Sequence, residues 1–182
     1  AVVCSNISIG ALKPGSNKIV SYLGDIRGNA YALDASSGEL IWKTLTDGHP
    51  LARVTGNPRY FDGKLYVPLA SLEEDESRSP EHICCTFRGA MVAVNTETGK
   101  IAWKHPYPSG GGAMGMLSTA GNLLFTGDRS AHLIAFDSTK GTILWHAGLQ
   151  DDLSNGPETY MLDGQQYLVA GAGDTLCAFV VE

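Results

Sequence analysis

Apolar and polar positions alternate in short runs along almost the whole chain, and Gly-, Asp- and Asn-containing breaks separate the runs. In "NAYALDASSGELIWK", Tyr31 and Leu33 are spaced by two, Asp34 to Gly38 interrupts, and Leu40 and Trp42 resume the spacing. A period of two puts such side chains on one face of a strand. The break is a turn: Asp bonds its own downstream backbone, and Gly accepts a left-handed conformation without a Cβ clash. Further hairpins are predicted in "RYFDGKLYVPLAS", "STAGNLLFTG" and "TYMLDGQQYLVAGAG", and more weakly in "KPGSNKIVSYLG"; Asp-Gly between two alternating runs is a strong hairpin signal.

The pattern repeats. "GDIRGNAYALDASSGELIWK", "CTFRGAMVAVNTETGKIAWK" and "GDRSAHLIAFDSTKGTILWH" superimpose on their tryptophans, Trp42, Trp103 and Trp145. Ten residues before each stands Ala32, Ala93 or Ala135; eight before, Asp34, Asn95 or Asp137; four before, Gly38, Gly99 or Gly141. All three tryptophans of the chain occupy this one slot. Each is a large apolar plate suited to packing between neighbouring sheets. Four-stranded units of roughly 40–50 residues are propeller blades. Four are predicted, over about 8–45, 53–105, 113–147 and 156–182, in one all-β domain spanning 1–182. The last lacks a fourth strand and a tryptophan, and "VVCSNISI" at residues 2–9 is a spare strand that could fill that slot. The competing fold is a β-sandwich with a chance repeat.

Composition narrows the function. A net charge of -6 argues against phosphate-tracking nucleic-acid binding. No apolar run approaches the ~18 residues of a membrane-spanning helix. The chain does not begin with Met and shows no signal peptide, so it reads as a processed protein or a cut fragment. None of the four cysteines lies in a C-x-x-C setting, which leaves zinc-ribbon and thioredoxin-like chemistry unsupported.

Two of those cysteines, Cys84 and Cys85, are adjacent. Neighbouring α-carbons lie about 3.8 Å apart across a trans peptide, whereas ordinary disulfides want roughly 4.4–6.8 Å. A Cys84–Cys85 bond would be strained, and strained disulfides are more often functional than structural; the alternative is two buried free thiols acting as small hydrophobes. Arg88 follows the pair, and a guanidinium matches a carboxylate with two parallel donors. Arg27 holds the same slot in a blade without cysteines, fifteen residues before its tryptophan, and is read as structural. In an up-and-down blade, the turn between the second and third strands opens on the same face as the link to the next blade. His49, Arg53, Thr55, Asn57 and Gly110–Gly112 are therefore expected on the cysteine face, with His49 solvated. Glycines in such a link either let backbone approach a flat ligand or form a flexible connection. The acidic run Glu73, Glu74, Asp75, Glu76 reads as a solvated loop rather than a calcium site. Pairing of Cys4 with Cys177 is open.

The repeat A-x-(D/N)-x-x-x-G-x-x-x-W resembles the tryptophan-docking motif of the quinoprotein alcohol dehydrogenases, eight-bladed propellers that hold pyrroloquinoline quinone (PQQ). "DGHPLARVTGNPRYFDGKLYVPLASLEE" with "CCTFRGAMVAVNTETGKIAWK" is most similar to the family's polyvinyl-alcohol dehydrogenase branch. "GMLSTAGNLLFTGDRSAHLIAFDSTKGTILWH" and "YMLDGQQYLVAGAGDTLCAF" resemble the C-terminal blades of the wider family. The resemblance implies a periplasmic or secreted bacterial protein that binds PQQ and oxidises a small or polymeric alcohol, with cytochrome c as electron acceptor. It implies that Cys84 and Cys85 form a ring on which the quinone lies, that Arg88 holds a cofactor carboxylate, and that Gly111 and Gly112 line the site. Calcium would polarise the quinone, and an aspartate would act as base. The blades in which the family keeps its calcium ligands and aspartate have no counterpart here, and a tryptophan usual before the double glycine is missing. The chain thus reads as about half of an eight-bladed ring, as a smaller four-bladed ring, or as half of a homodimer. The rival class is a non-catalytic propeller scaffold, similar to the outer-membrane-assembly lipoprotein.

Overall fold

The computed structural model describes residues 2–3, 5–110 and 115–180. The chain divides into two compact units, Ala1–Ala113 and Met114–Glu182.

The first unit holds two antiparallel sheets. β1 (Ser8–Ala11), β2 (Ile19–Gly24), β3 (Asn29–Asp34) and β4 (Leu40–Leu45) pair in chain order. The second sheet contains β5 (Ala52–Arg53), β6 (Arg59–Phe61), β7 (Lys64–Ser71), β8 (Ala90–Asn95) and β9 (Ile101–Pro106). Both β5 and β6 lie along β7, which pairs in turn with β8 and β9. One turn of helix, α1 (Glu73–Glu76), follows β7. Alternation decides which faces meet: Val20, Tyr22, Ala30, Ala32 and Trp42 pack with Val54, Leu65, Val67, Leu69, Val92 and Val94 in one core.

The second unit repeats the plan. β10 (Leu117–Ser118), β11 (Leu123–Gly127), β12 (His132–Asp137) and β13 (Ile143–Gly148) form one sheet; β14 (Glu158–Leu162), β15 (Gln165–Ala172) and β16 (Thr175–Val180) form the other. Phe125, Leu133 and Ala135 pack with Leu153, Leu168 and Ala170.

The repeat has a geometric cause. Ala32, Ala93 and Ala135 stand directly across the ladder from Trp42, Trp103 and Trp145. A small residue there leaves room for the indole. Immediately after each pair the register shifts, between Ala32 and Leu33, Ala93 and Val94, and Ala135 and Phe136. Asp34, Asn95 and Asp137 accept backbone N–H groups two and three residues on. Gly99 carries a double constraint: its φ is +69°, and a Cβ would sit 2.9 Å from Trp42 Cγ. Trp42 Nε1 donates to Thr96 O at 2.7 Å, docking the first sheet onto the second sheet's turn.

Two expectations need correction. The tryptophan environments are unequal: Trp42 and Trp103 are each 9% exposed, whereas Trp145 is 40% exposed and meets Phe179 edge-on. The sheet facing Trp145 has three strands rather than four, so less surface covers the indole. Of residues 2–9, offered as a filler for that sheet, Ser8 and Ile9 belong to β1, and Val2 and Val3 lie against the same first sheet. Val3 bridges Asp25, and Ile26 N donates to Val2 O at 3.1 Å.

Candidate functional site

The turn between the second and third strands of a sheet differs sharply from blade to blade. In the first sheet Asp25 closes it from within. Its Oδ1 accepts Arg27 N at 2.8 Å and Asn29 N at 2.9 Å; Asn29 Nδ2 and the Tyr31 hydroxyl, at 2.7 Å, complete the shell. Burial of Asp25 pushes its carboxyl up, but the bonds from Asn29, Tyr31 and Arg27 outweigh this and hold it below the usual range. Burial and the bond to Asp25 push Tyr31 up to about 12. Asp128 repeats the device in the third sheet, accepting Ser130 N at 2.8 Å and His132 N at 3.1 Å. At the following slot Gly28, Gly89 and Ala131 are all left-handed, with φ of 73°, 98° and 57°.

In the second sheet Thr86 occupies the aspartate slot, and the turn is opened by the insertion that carries α1 and the two cysteines. Cys84 and Cys85 form a disulfide, with α-carbons 3.0 Å apart and a cis peptide between them. Of the alternatives left open by the sequence, the free thiols are excluded. The pair is not buried: Cys84 is exposed, Cys85 partly so, and the preceding Ile83 is 82% exposed. Arg88 is also exposed and makes no ion pair among the described residues. Arg27 is exposed at the equivalent slot, as the register predicts.

The carboxylate missing from this turn arrives from α1. Glu73 is 1% exposed. Its Oε1 accepts the Thr86 amide at 2.7 Å and the Thr86 hydroxyl at 2.6 Å; Oε2 accepts the Phe87 amide at 2.9 Å. Burial pushes the Glu73 carboxyl up, yet the bonds from Thr86 and Phe87 outweigh this and hold it at about 2. The expected solvated acidic loop is thus wrong at Glu73, because a buried acceptor with three converging donors is more stable than a hydrated one on an open loop. The sequence carries only a hint: Thr86 stands where the sister blades have Asp25 and Asp128.

His49 is likewise not a solvated loop histidine. Its Nε2 lies 2.9 Å from Thr86 Oγ1, Leu51 N donates to Nδ1 at 3.2 Å, and the ring stacks on Phe87 at 5.0 Å between centroids. The link after β4 and the cysteine turn therefore do share a face, as the strand topology predicts. Asp47 anchors the link, accepting His49 N at 2.7 Å and pairing with Lys104. His82 Nε2 lies 3.7 Å from Glu73 Oε1. Arg53 and Asn57 are occupied elsewhere: Arg53 donates to the Pro50 and Ala52 carbonyls, and Asn57 accepts Asn6 N. Thr55 is exposed and makes no side-chain bond within the group just described. Gly110, with φ 101°, donates to Tyr107 O. Gly111, Gly112 and Cys4 lie outside the described residues. Cys177 is a free thiol.

The four antiparallel sheets are those of a partial β-propeller, one of them carrying an exposed vicinal disulfide. The family model described as the β-propeller domain of PQQ glucose, ethanol and alcohol dehydrogenases matches residues 89–168 of this chain. Polyvinylalcohol dehydrogenase of Sphingopyxis sp. (strain 113P3) is 34% identical over 176 residues, covering 79% of this chain and 27% of that protein. The chain thus spans about a quarter of that relative's length. Among solved structures, the quinohemoprotein alcohol dehydrogenase ADHIIG of Pseudomonas putida HK5 covers 94% of this chain and is itself covered over 35%. Its TM-score is 0.69 at 20% identity, a likeness of fold. BamB from Moraxella catarrhalis covers 98% of this chain and is covered over 50%, with a TM-score of 0.67 at 15% identity. No helix among the described residues is long and apolar enough to cross a membrane.

Proposed function

We propose that this chain supplies the quinone-supporting part of a PQQ-dependent alcohol dehydrogenase. The observation that carries the reading is an exposed Cys84–Cys85 disulfide followed three residues on by Arg88, exposed and without an ion pair among the described residues. An exposed disulfide flanked by the exposed Ile83 offers an apolar surface to the face of a planar cofactor. The fork of Arg88 suits a carboxylate on its rim. Gly111 and Gly112 would line the same site, and the four sheets would belong to one propeller domain. Bound there, PQQ would supply the two-electron oxidation of an alcohol; the chain's own part is to hold, orient and shield it. In this reading a cytochrome c takes the electrons and the protein works in the bacterial periplasm or beyond, where a disulfide persists. Calcium fits less well. Among the described residues no group of three or more His, Cys, Asp or Glu side chains converges as a metal site, so its ligands and the catalytic base would lie on other blades. Those blades would come from a longer chain or from a second copy in a homodimer.

Titration of PQQ, with calcium present, into the parent, Arg88→Ala and Arg27→Ala, read by fluorescence quenching, tests the assignment. Arg88→Ala is expected to weaken binding by about 2–4 kcal/mol, because truncation leaves a desolvated carboxylate unpaired; Arg27→Ala changes little. Equal losses in the two variants refute the site. The second reading is a non-catalytic scaffold, favoured by the fold-level likeness to BamB. It predicts that the parent binds no quinone and that both arginines are dispensable.

A further inference from the structure

The blades close their inner turns in two ways. Asp25 and Asp128 act from inside the turn they close. In the cysteine blade the carboxylate comes from Glu73, thirteen residues before the amide of Thr86 that it receives. We propose that Glu73 is the positioning residue of the Cys84–Cys85 platform, and that Thr86 passes its hold to His49, making the imidazole a fixed part of the ligand-facing surface. This rests on the quinone-platform reading above.

Donor and acceptor roles lead to this assignment. The Thr86 hydroxyl donates its only proton to Glu73 Oε1, a carboxylate oxygen that can only accept. Its oxygen must therefore accept from His49, so Nε2 carries a hydrogen. Leu51 N–H donates to Nδ1, which must then be bare. The two bonds select the neutral, Nε2-protonated tautomer. With Phe87 stacked on one face, the ring is fixed at both nitrogens and from one side. The charged neighbours are accounted for: His82 faces Glu73 Oε1, and Asp47 is engaged by Lys104 and the His49 amide. Glu73 is buried beneath residues that are themselves exposed. Burying a charge is costly unless donors converge on it. Here the donors are Thr86 and Phe87, the two residues that follow the disulfide, so the carboxylate fixes the chain immediately beside it.

Three variants test this: Glu73→Gln, Thr86→Val and Thr86→Ser. Glutamine offers one acceptor and an NH₂ to three donors. Hydrogen exchange at the Thr86 and Phe87 amides is expected to speed up by about tenfold or more in Glu73→Gln, with PQQ binding weakened by about tenfold. Thr86→Val keeps the amide bonds to Glu73 but cuts the tie to His49. Its amides should stay protected, while the nitrogen-15 shifts of His49 change from those of a single Nε2-protonated tautomer to averaged values. PQQ binding should weaken severalfold. Thr86→Ser should match the parent throughout. Parental exchange rates in Glu73→Gln overturn the role of Glu73; unchanged His49 shifts in Thr86→Val overturn the relay. If Glu73→Gln fails to fold, Glu73→Asp replaces it, and parental exchange in that variant overturns the proposal equally. If the parent binds no PQQ, the functional reading fails, while the exchange and nitrogen-15 results still decide the positioning claim.

Discussion

The turn around Asp25 and the loop around Glu73 occupy the same place in consecutive blades and face the same problem. Each must satisfy a cluster of N–H donors between the second and third strands. The first blade does so with the residue already in the turn, and its acceptor Asp25 and the donor Asn29 are both buried. The second opens the turn, inserts a helical turn and a disulfide, and brings the acceptor from outside. The first solution is compact and serves the fold. The second lifts two cysteines and an arginine into solvent while keeping their base rigid. A repeat can thus acquire a site by relocating one carboxylate rather than by changing its framework.

The largest expected effect is on the compact turn. Asp25→Ala should lower the stability of the first unit by about 3 kcal/mol in denaturant titration, since it strands several buried donors. Glu73→Ala should cost about 1 kcal/mol by the same measurement, because its donors lie nearer solvent and water can replace it. Equal losses would show that the loop is as integral to the core as the turn.

A transplant comes next. Thr86→Asp puts the sister-blade residue beside Glu73, and two adjacent carboxylates repel. It should destabilise by about 1 kcal/mol, and adding Glu73→Gln should recover most of that; a double-mutant cycle reads the coupling. Additive costs would mean that the two positions do not share one role.

Acid gives a smaller and local effect. The folded Glu73 carboxyl, at about 2, lies below its ordinary value of 4.5. Its contribution is therefore fully present above the unfolded value, and is lost as pH falls through the folded one. Exchange at the Thr86 and Phe87 amides should stay slow down to about pH 3 and rise below it. A rise beginning near pH 5 would show that the three bonds do not hold the carboxylate. The smallest effect is on the two exposed arginines. Arg27→Ala and Arg88→Ala should each change stability by less than about 0.5 kcal/mol, leaving ligand binding as the only measurement that separates them.

Periodicity alone determined the strands, the turns and the equivalence of the three tryptophan slots, because alternation and Asp-x-x-x-Gly turns are local, short-range constraints. It also determined that Arg27 and Arg88 are equivalent and that the link carrying His49 shares a face with the cysteines, since strand direction follows from strand count. Adjacency of Cys84 and Cys85 raised the choice between disulfide and free thiols; the tertiary structure decided it. Tertiary structure alone decided the unequal burial of Trp145, which depends on how many strands face it, and the place of Val2 and Val3 beside Asp25 rather than on the last sheet. Above all it decided Glu73. An acidic run on a loop is locally best left in water, and only the convergence of Thr86 and Phe87 donors, brought in by the return of the chain to β8, makes burial the lower free energy.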